Sequence, residues 1–332
     1  MSNPSEPREN KRAMTRRSPW HDYRRRGTYM LTLVVAERVP LLGALAGDVA
    51  APYVAASPLG RVIVQEEIPK IHGRYPQVEV WQVCLMPDHL HLIVSVREDL
   101  PQDKHLGRVV AGFKLGCNRA YWRCYGMDAP PRRGLFEAGY NDKILLNDGQ
   151  LDRWKAYLAD NPRRLMLKRQ HPQLFTVLYD MTVAGHRCQM VGNRFLLDIP
   201  DKMAVIVHRR YTAAEYARRC EQWLACGERG GVLVSAAISP REKAVLREAR
   251  RRGYPIILLR ENGFPRLYKP SGEAFDACAQ GLLLQISPWD YHTRQQTITR
   301  AQCLALNALA EEIASDGEAS DGVACNGGDD GG

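Results

Sequence analysis

No uninterrupted apolar run in this 332-residue chain approaches the ~20 residues that a membrane-spanning helix needs, so a soluble globular protein is expected. The opening Met1-Ser-Asn-Pro-Ser-Glu-Pro-Arg8 lacks an apolar core after a basic start. No secretory leader is therefore expected, and the cytoplasm is the expected compartment. The nine cysteines are odd in number and scattered, and no two form a CxxC pair, Cys220 and Cys226 being the closest. That argues against a disulfide framework and against a cysteine zinc site, leaving reduced thiols. There is no GxGxxG stretch to suggest a dinucleotide cofactor, and no repeat at a fixed period.

What is present begins with length, which is about twice a typical domain, so two domains are expected. The formal charge of +9 is unevenly spread. Arg8, Lys11, Arg12, Arg16, Arg17, Arg24, Arg25 and Arg26 crowd residues 1–26, with Trp20 and Tyr23 among them. Arginine interleaved with aromatics suits phosphate contact plus base stacking, and it equally suits a solvated basic arm.

The stretch Met86-Pro87-Asp88-His89-Leu90-His91-Leu92-Ile93-Val94 is the most specific piece of chemistry. Side chains alternate faces along a strand, so His89 and His91 share one face while Leu90, Leu92 and Val94 form an apolar underside. Two imidazoles so placed suit a divalent metal, and they also suit a pair of hydrogen-bonded structural histidines.

Around this stretch the pattern predicts a strand over 29–35, a helix over 59–71, and strands over 78–86 and 89–96 joined at Pro87-Asp88. A helix over 106–125 carries Lys114, and a short strand follows near 139–146. A helix from Leu151 is expected to end at Asn161, because Pro162 restricts the residue before it. Tyr157 and Asn161, four apart, then project from one face. The order suits an α+β fold, an antiparallel ferredoxin-like sheet with helices on one face, over 27–169. Residues 170–198 read as a linker. Strands and helices alternate over 199–314, which predicts an α/β, Rossmann-like domain whose helix starts are marked by the capping boxes Thr212/Glu215, Ser239/Glu242 and Thr299/Gln302. Residues 315–332 are acidic and glycine-rich, and disorder is expected there.

A metal at His89 and His91 needs another ligand, for which the amide oxygen of Asn161 is a candidate, with Tyr157 beside the ion. A phenol ionises near 10, so Tyr157 as a nucleophile needs help from the ion or from a cation such as Lys155 or Lys114. The same acidity makes phenolate a good leaving group. A phosphotyrosine bond therefore conserves the energy of a cut strand, which suits breaking and rejoining better than hydrolysis. Without the histidines, Tyr157 and Asn161 also suit a packed aromatic and a helix-end asparagine.

His89-Leu-His91, then Phe113-Lys114, then Tyr140-Asn-Asp142-Lys143, then Tyr157-Leu-Ala-Asp-Asn161-Pro162 resemble the single-tyrosine HUH transposases of insertion sequences, most of all their REP-associated branch. The resemblance covers about residues 24–165. It implies Mg²⁺ or Mn²⁺ at His89, His91 and Asn161, a nucleophilic Tyr157, and a 5′-phosphotyrosine intermediate. It also implies hairpin-bearing single-stranded DNA as substrate, a nucleoid-associated location, no membrane partner, and DNA contacts from Arg16, Arg17, Arg24, Arg25, Arg26 and Lys114. Asp88 stands where asparagine is frequent, and Asn141-Asp142-Lys143 departs from the usual His-Asp-His, which bears on DNA preference. The resemblance leaves open a monomer or a homodimer with a shared site. It also leaves open a domesticated hairpin-binding protein that does not cut. The segment from Val232 to Pro240 resembles the Rossmann-like domain of the Smf and DprA group, which binds single-stranded DNA. Ser235 and Ser239 are candidates there for a phosphate-binding loop, or for caps and turns alone.

Overall fold

Strand β1 (Gly27–Val34) alternates so that Tyr29, Leu31 and Leu33 point to one side and Met30 and Thr32 to the other. It is the organising strand of the first of two compact units, Met1–Met166 and Leu167–Gly332. The computed structural model describes residues 18, 20–126, 134–294 and 297–315. Among them no helix is long and apolar enough to cross a membrane.

In the first unit β1 is followed by a hairpin of β2 (Gly43–Ala46) and β3 (Tyr53–Ala56), then α1 (Pro58–Val62) and α2 (Pro69–Arg74). Next come β4 (Val78–Met86), β5 (His89–Val96), α3 (Leu106–Cys124), β6 (Asn141–Ile144) and α4 (Gln150–Gln170). The main sheet has the order β4-β5-β1-β6 with every neighbour antiparallel, and with the hairpin set aside the chain runs β-α-β-β-α-β. This is the expected ferredoxin-like arrangement. Leu90, Leu92 and Val94 pack with Leu31, Leu33 and helix residues such as Leu59, Ile63, Val109 and Phe113 in one buried core.

The helices are not confined to one face, however. Trp154 and Leu158 of α4 bury Met30, Ile93, Cys84 and Met86, which lie on the opposite side of the sheet. The expected end of α4 at Asn161 is also corrected, because the helix runs through Pro162 to Gln170. Proline there removes one helical hydrogen bond, at a cost of ~3 kcal/mol or more. Leu165 joins the same apolar cluster as Leu158, and that packing carries the helix past the break.

The predicted helix over 59–71 is divided for a similar reason. Pro69 has no N–H for the Gln65 carbonyl, and the turn Ile63–Glu67 widens so that the Ile68 N–H donates to Ile63 O at 3.0 Å. In β4 a bulge at Trp81 shifts the register: Val80 lies opposite Val94, but Gln82 lies opposite Ile93. Val78 and Val80 face the first core before the bulge, and Val83 and Leu85 after it. Cys84 and Met86 consequently emerge beside the histidines, opposite His91 and His89.

The second unit contains β7 (Leu178–Val183), β8 (His186–Gly192), β9 (Lys202–Ala204), α5 (Ala213–Glu228), β10 (Val232–Ser235) and α6 (Pro240–Arg251). β11 (Ile256–Leu259), α7 (Glu273–Ala279), β12 (Leu283–Ser287) and α8 (Arg300–Ser315) complete it. Strands β9 to β12 are parallel and stand in chain order, as expected of an α/β domain. The inward sides of β10, β11 and β12 pack on Leu306, Leu309 and Ile313 of α8. The expected linker 170–198 is corrected: it supplies β7 and β8, which extend the sheet antiparallel to β12. Their turn, Ala184-Gly185, has positive φ at both residues (46° and 77°), the geometry of a tight hairpin. Ser315, expected to begin a disordered tail, closes α8 with its hydroxyl on Glu311 O at 2.7 Å, and residues 316–332 lie outside the described residues.

Candidate active site

The alternation of β5 puts His89 and His91 on the same side, with ring centroids 4.8 Å apart and planes nearly perpendicular. Across the ladder Thr32 and Cys84 flank His91. Each imidazole is tied at Nδ1: His89 to Asp88 Oδ1 at 2.6 Å and His91 to Thr32 Oγ1 at 2.8 Å. Facing a carboxylate, His89 carries its proton at Nδ1, which leaves Nε2 as the lone-pair nitrogen, whereas the Thr32 hydroxyl meets His91 Nδ1 as donor or acceptor according to the tautomer.

Electrostatics sets the states of His91 and Asp88. Burial, helped by the nearby charges of His89 and Lys143, pushes His91 down to about 3, so its ring stays neutral and able to donate a lone pair. Burial alone would raise the Asp88 carboxyl, but its hydrogen bonds and charge pairing with His89 and Arg38 bring it down to about 2. Arg38 Nη1 meets Asp88 Oδ2 at 3.0 Å, so Asp88 bridges a cation and an imidazole.

Helix α4 brings Tyr157 to the same place. The Tyr157 ring lies 6.2 Å from that of His91, tilted by 71°, and remains 40% exposed. Both side chains belong to one chain. Asn161 is buried one turn later, and its amide donates to Cys84 Sγ at 3.9 Å. Burial pushes the Cys84 thiol up to about 11, which keeps it protonated beside that amide. Lys114, expected as a helper of the phenol, is engaged elsewhere. Lys114 donates to Glu137 O and Gly139 O, each at 2.5 Å, and so pins the 137–139 segment. The cation at the Tyr157 ring is Arg164, whose guanidinium carbon lies 5.7 Å from the ring centre.

Of the expected DNA-binding arginines, Arg16 and Arg17 lie outside the described residues. Arg24, Arg25 and Arg26 are exposed where the chain enters β1, with Arg24 and Arg25 paired to Asp22. Residues 20–26 are held, where the expectation was a flexible arm through residue 26, and residues 1–17 lie outside the described residues. Tyr23 donates its hydroxyl to Asp142 at 2.7 Å, and the Arg26 N–H donates to Asp99 at 2.9 Å.

The candidate phosphate loop in the second unit is also corrected. Ser235 is buried, donating to Val205 O and accepting from Ala237 N, and Ser239 caps α6. The amides that could cradle a phosphate already meet a carboxylate: Glu242 accepts from Val207 N at 2.9 Å, Ile238 N at 2.7 Å and Ser239 N at 2.9 Å. Of the two expected readings of Ser235 and Ser239, caps and turns are what these bonds show, and the Glu242 carboxyl takes the amides at this helix terminus.

Sequence reasoning missed Thr32, Cys84, Arg38 and Arg164. Register and side-chain packing bring each into place, and only Asp88, adjacent to His89, was visible as a motif residue. Among the described residues, no three His, Cys, Asp or Glu side chains are grouped to hold a metal.

No protein-family model matches the sequence, and no curated protein matches it. Among solved structures, the chain is similar to a REP-associated tyrosine transposase bound to a REP hairpin, with TM-score 0.30, 16% identity, and coverage of 44% of this chain and 73% of that one. It is also similar to DNA processing protein A of Helicobacter pylori, solved for its single-stranded DNA binding mode, with TM-score 0.31, 18% identity, and coverage of 42% and 65%. A candidate transposase of Deinococcus radiodurans gives TM-score 0.27, 13% identity, and coverage of 44% and 96%.

Proposed function

We propose that the protein is a metal-dependent DNA transesterase of the transposase kind, cutting and rejoining single-stranded DNA at hairpin-bearing ends with Tyr157 as nucleophile. The observation that carries this reading is a half-exposed phenol set 6.2 Å from a buried, neutral imidazole whose neighbour, His89, is likewise tied at Nδ1. The donor set fits Mg²⁺ or Mn²⁺: His89 and His91, with the amide oxygen of Asn161, would hold the ion, which when bound draws charge from a phosphate oxygen.

The rest is the work of the chain. Tyr157 presents its hydroxyl to a strand arriving from solvent. Its oxygen bonds to phosphorus as the bond from phosphorus to the 3′ oxygen breaks. The phenol proton passes to solvent and the departing 3′ oxygen takes one up, giving a 5′-phosphotyrosine and a free 3′-hydroxyl. Because phenolate leaves far more readily than an alkoxide, a 3′-hydroxyl can reverse the step without ATP. Arg24, Arg25 and Arg26, exposed before β1, supply phosphate contacts that position the strand.

The test is to incubate the protein with Mn²⁺ and a 3′-end-labelled single strand carrying the hairpin nearest the gene. A denaturation-resistant adduct is expected, absent from Tyr157→Phe and after chelation. Tight binding of the same hairpin by wild-type protein without any adduct would replace this reading with that of a non-cutting hairpin binder.

A further inference from the structure

Tyr157, Asn161 and Arg164 are spaced by four and three along α4 and so share one face. Asn161 ties that face to Cys84 in β4, which lies opposite His91. Arg164 is the third member of the stripe. Its side chain is 9% exposed, and Asp160 Oδ2 lies 3.8 Å from its Nη1. Asp160 also takes Arg163, with Nε at 2.5 Å and Nη2 at 3.1 Å, which fixes the carboxylate that steers Arg164. A guanidinium so deeply placed carries a large desolvation cost, and one of the surfaces it meets is the phenol ring. The ring thus has two close neighbours, His91 at 6.2 Å and Arg164 at 5.7 Å.

We propose that Arg164 is the positioning residue for the Tyr157 nucleophile, holding the ring against His91 so that its hydroxyl keeps one direction for attack. This rests on the reading of Tyr157 given above. Arginine suits such a role because its plane stays charged at any working pH and lies over an aromatic face while its edge bonds to a carboxylate. The burial of Arg164 separates this role from phosphate binding, which would need the guanidinium at the surface.

Arg164→Met and Arg164→Lys are compared with wild type at saturating DNA and Mn²⁺, reading the first-order rate of adduct formation and, separately, the affinity for the hairpin. Loss of a desolvated cation–aromatic contact is expected to slow Arg164→Met about ten-fold with affinity unchanged, and Arg164→Lys is expected to recover part of the rate. A second readout needs no activity. In DNA-free protein labelled with 3-fluorotyrosine, the ¹⁹F resonance that disappears in Tyr157→Phe is expected to shift in Arg164→Met while the others stay. A wild-type rate together with an unmoved resonance in Arg164→Met overturns the inference alone, as does lost affinity at an unchanged rate. Wild-type protein that forms no adduct at all overturns the nucleophile reading and takes the inference with it.

Discussion

Asp88 holds two partners at once, His89 Nδ1 at 2.6 Å and Arg38 Nη1 at 3.0 Å, and so fixes the ring whose other nitrogen faces the open side of the sheet. A carboxylate in that position orients an imidazole, and outer partners of metal-binding histidines are worth ~10–100-fold in metal affinity. Asp88→Ala is therefore expected to weaken Mn²⁺ binding by about that factor without unfolding the chain, as followed by electron paramagnetic resonance of Mn²⁺ on DNA-free protein. Binding at wild-type strength would show that His89 is oriented without Asp88.

At this scale the sequence shows pairs whose members are neighbours and hides those whose members are not. His89 and His91 are legible because two residues of strand return a side chain to the same face. Tyr157 and Asn161 are legible because four residues of helix do so. Thr32, 59 residues from His91, and Cys84, 77 from Asn161, come into place through strand register and helix docking, which no local pattern records.

Among the elements, helix starts are the most legible. The boxes at Thr212/Glu215 and Ser239/Glu242 form as expected, and Thr299 and Gln302 exchange the same two bonds, at 2.9 and 3.2 Å. The reason is that a capping box is closed by residues three apart. Elements shaped by a single awkward residue are hidden. Pro162 is crossed because Leu165 packs beyond it, Pro69 opens a wide turn, and the Trp81 bulge reverses which residues of β4 face the histidines.

The β7–β8 hairpin escapes sequence reading because its turn lacks the usual Asn-Gly or Asp-Gly signal. Ala184 takes φ 46° instead, a left-handed conformation that costs an alanine roughly 1–2 kcal/mol. Ala184→Gly relieves that strain and also gains chain entropy on unfolding, for a net stabilisation of up to about 1 kcal/mol. A raised urea midpoint for the second unit's transition is the expected outcome. A lowered midpoint would mean that the alanine methyl makes contacts worth more than the strain.

For the molecule as a whole, charge placement decides how it meets a polyanion. Lysine and arginine number 46 against 37 aspartate and glutamate. A third of that excess sits in residues 1–17, where Arg8, Lys11, Arg12, Arg16 and Arg17 stand against Glu6 and Glu9 and precede the described residues. At this scale the basic end is legible in the composition, two domains are an expectation from length, and the chain divides into two compact units. Each phosphate contact made by a cation releases condensed counterions, so the affinity for single strands falls with salt at a slope of ~0.7 per contact. If all five of those cations touch phosphates, deleting residues 1–17 lowers the log–log slope by about 3.5, whereas Arg24, Arg25 and Arg26 retain their share. The adduct rate at saturating DNA is expected to stay near wild type, because Tyr157, His89 and His91 are held by a sheet and helix that lie wholly after residue 26. A titration from low to moderate salt with hairpin DNA separates the alternatives. An unchanged slope would assign the first seventeen residues no electrostatic part in binding, and a collapsed adduct rate would place part of the reaction geometry in them.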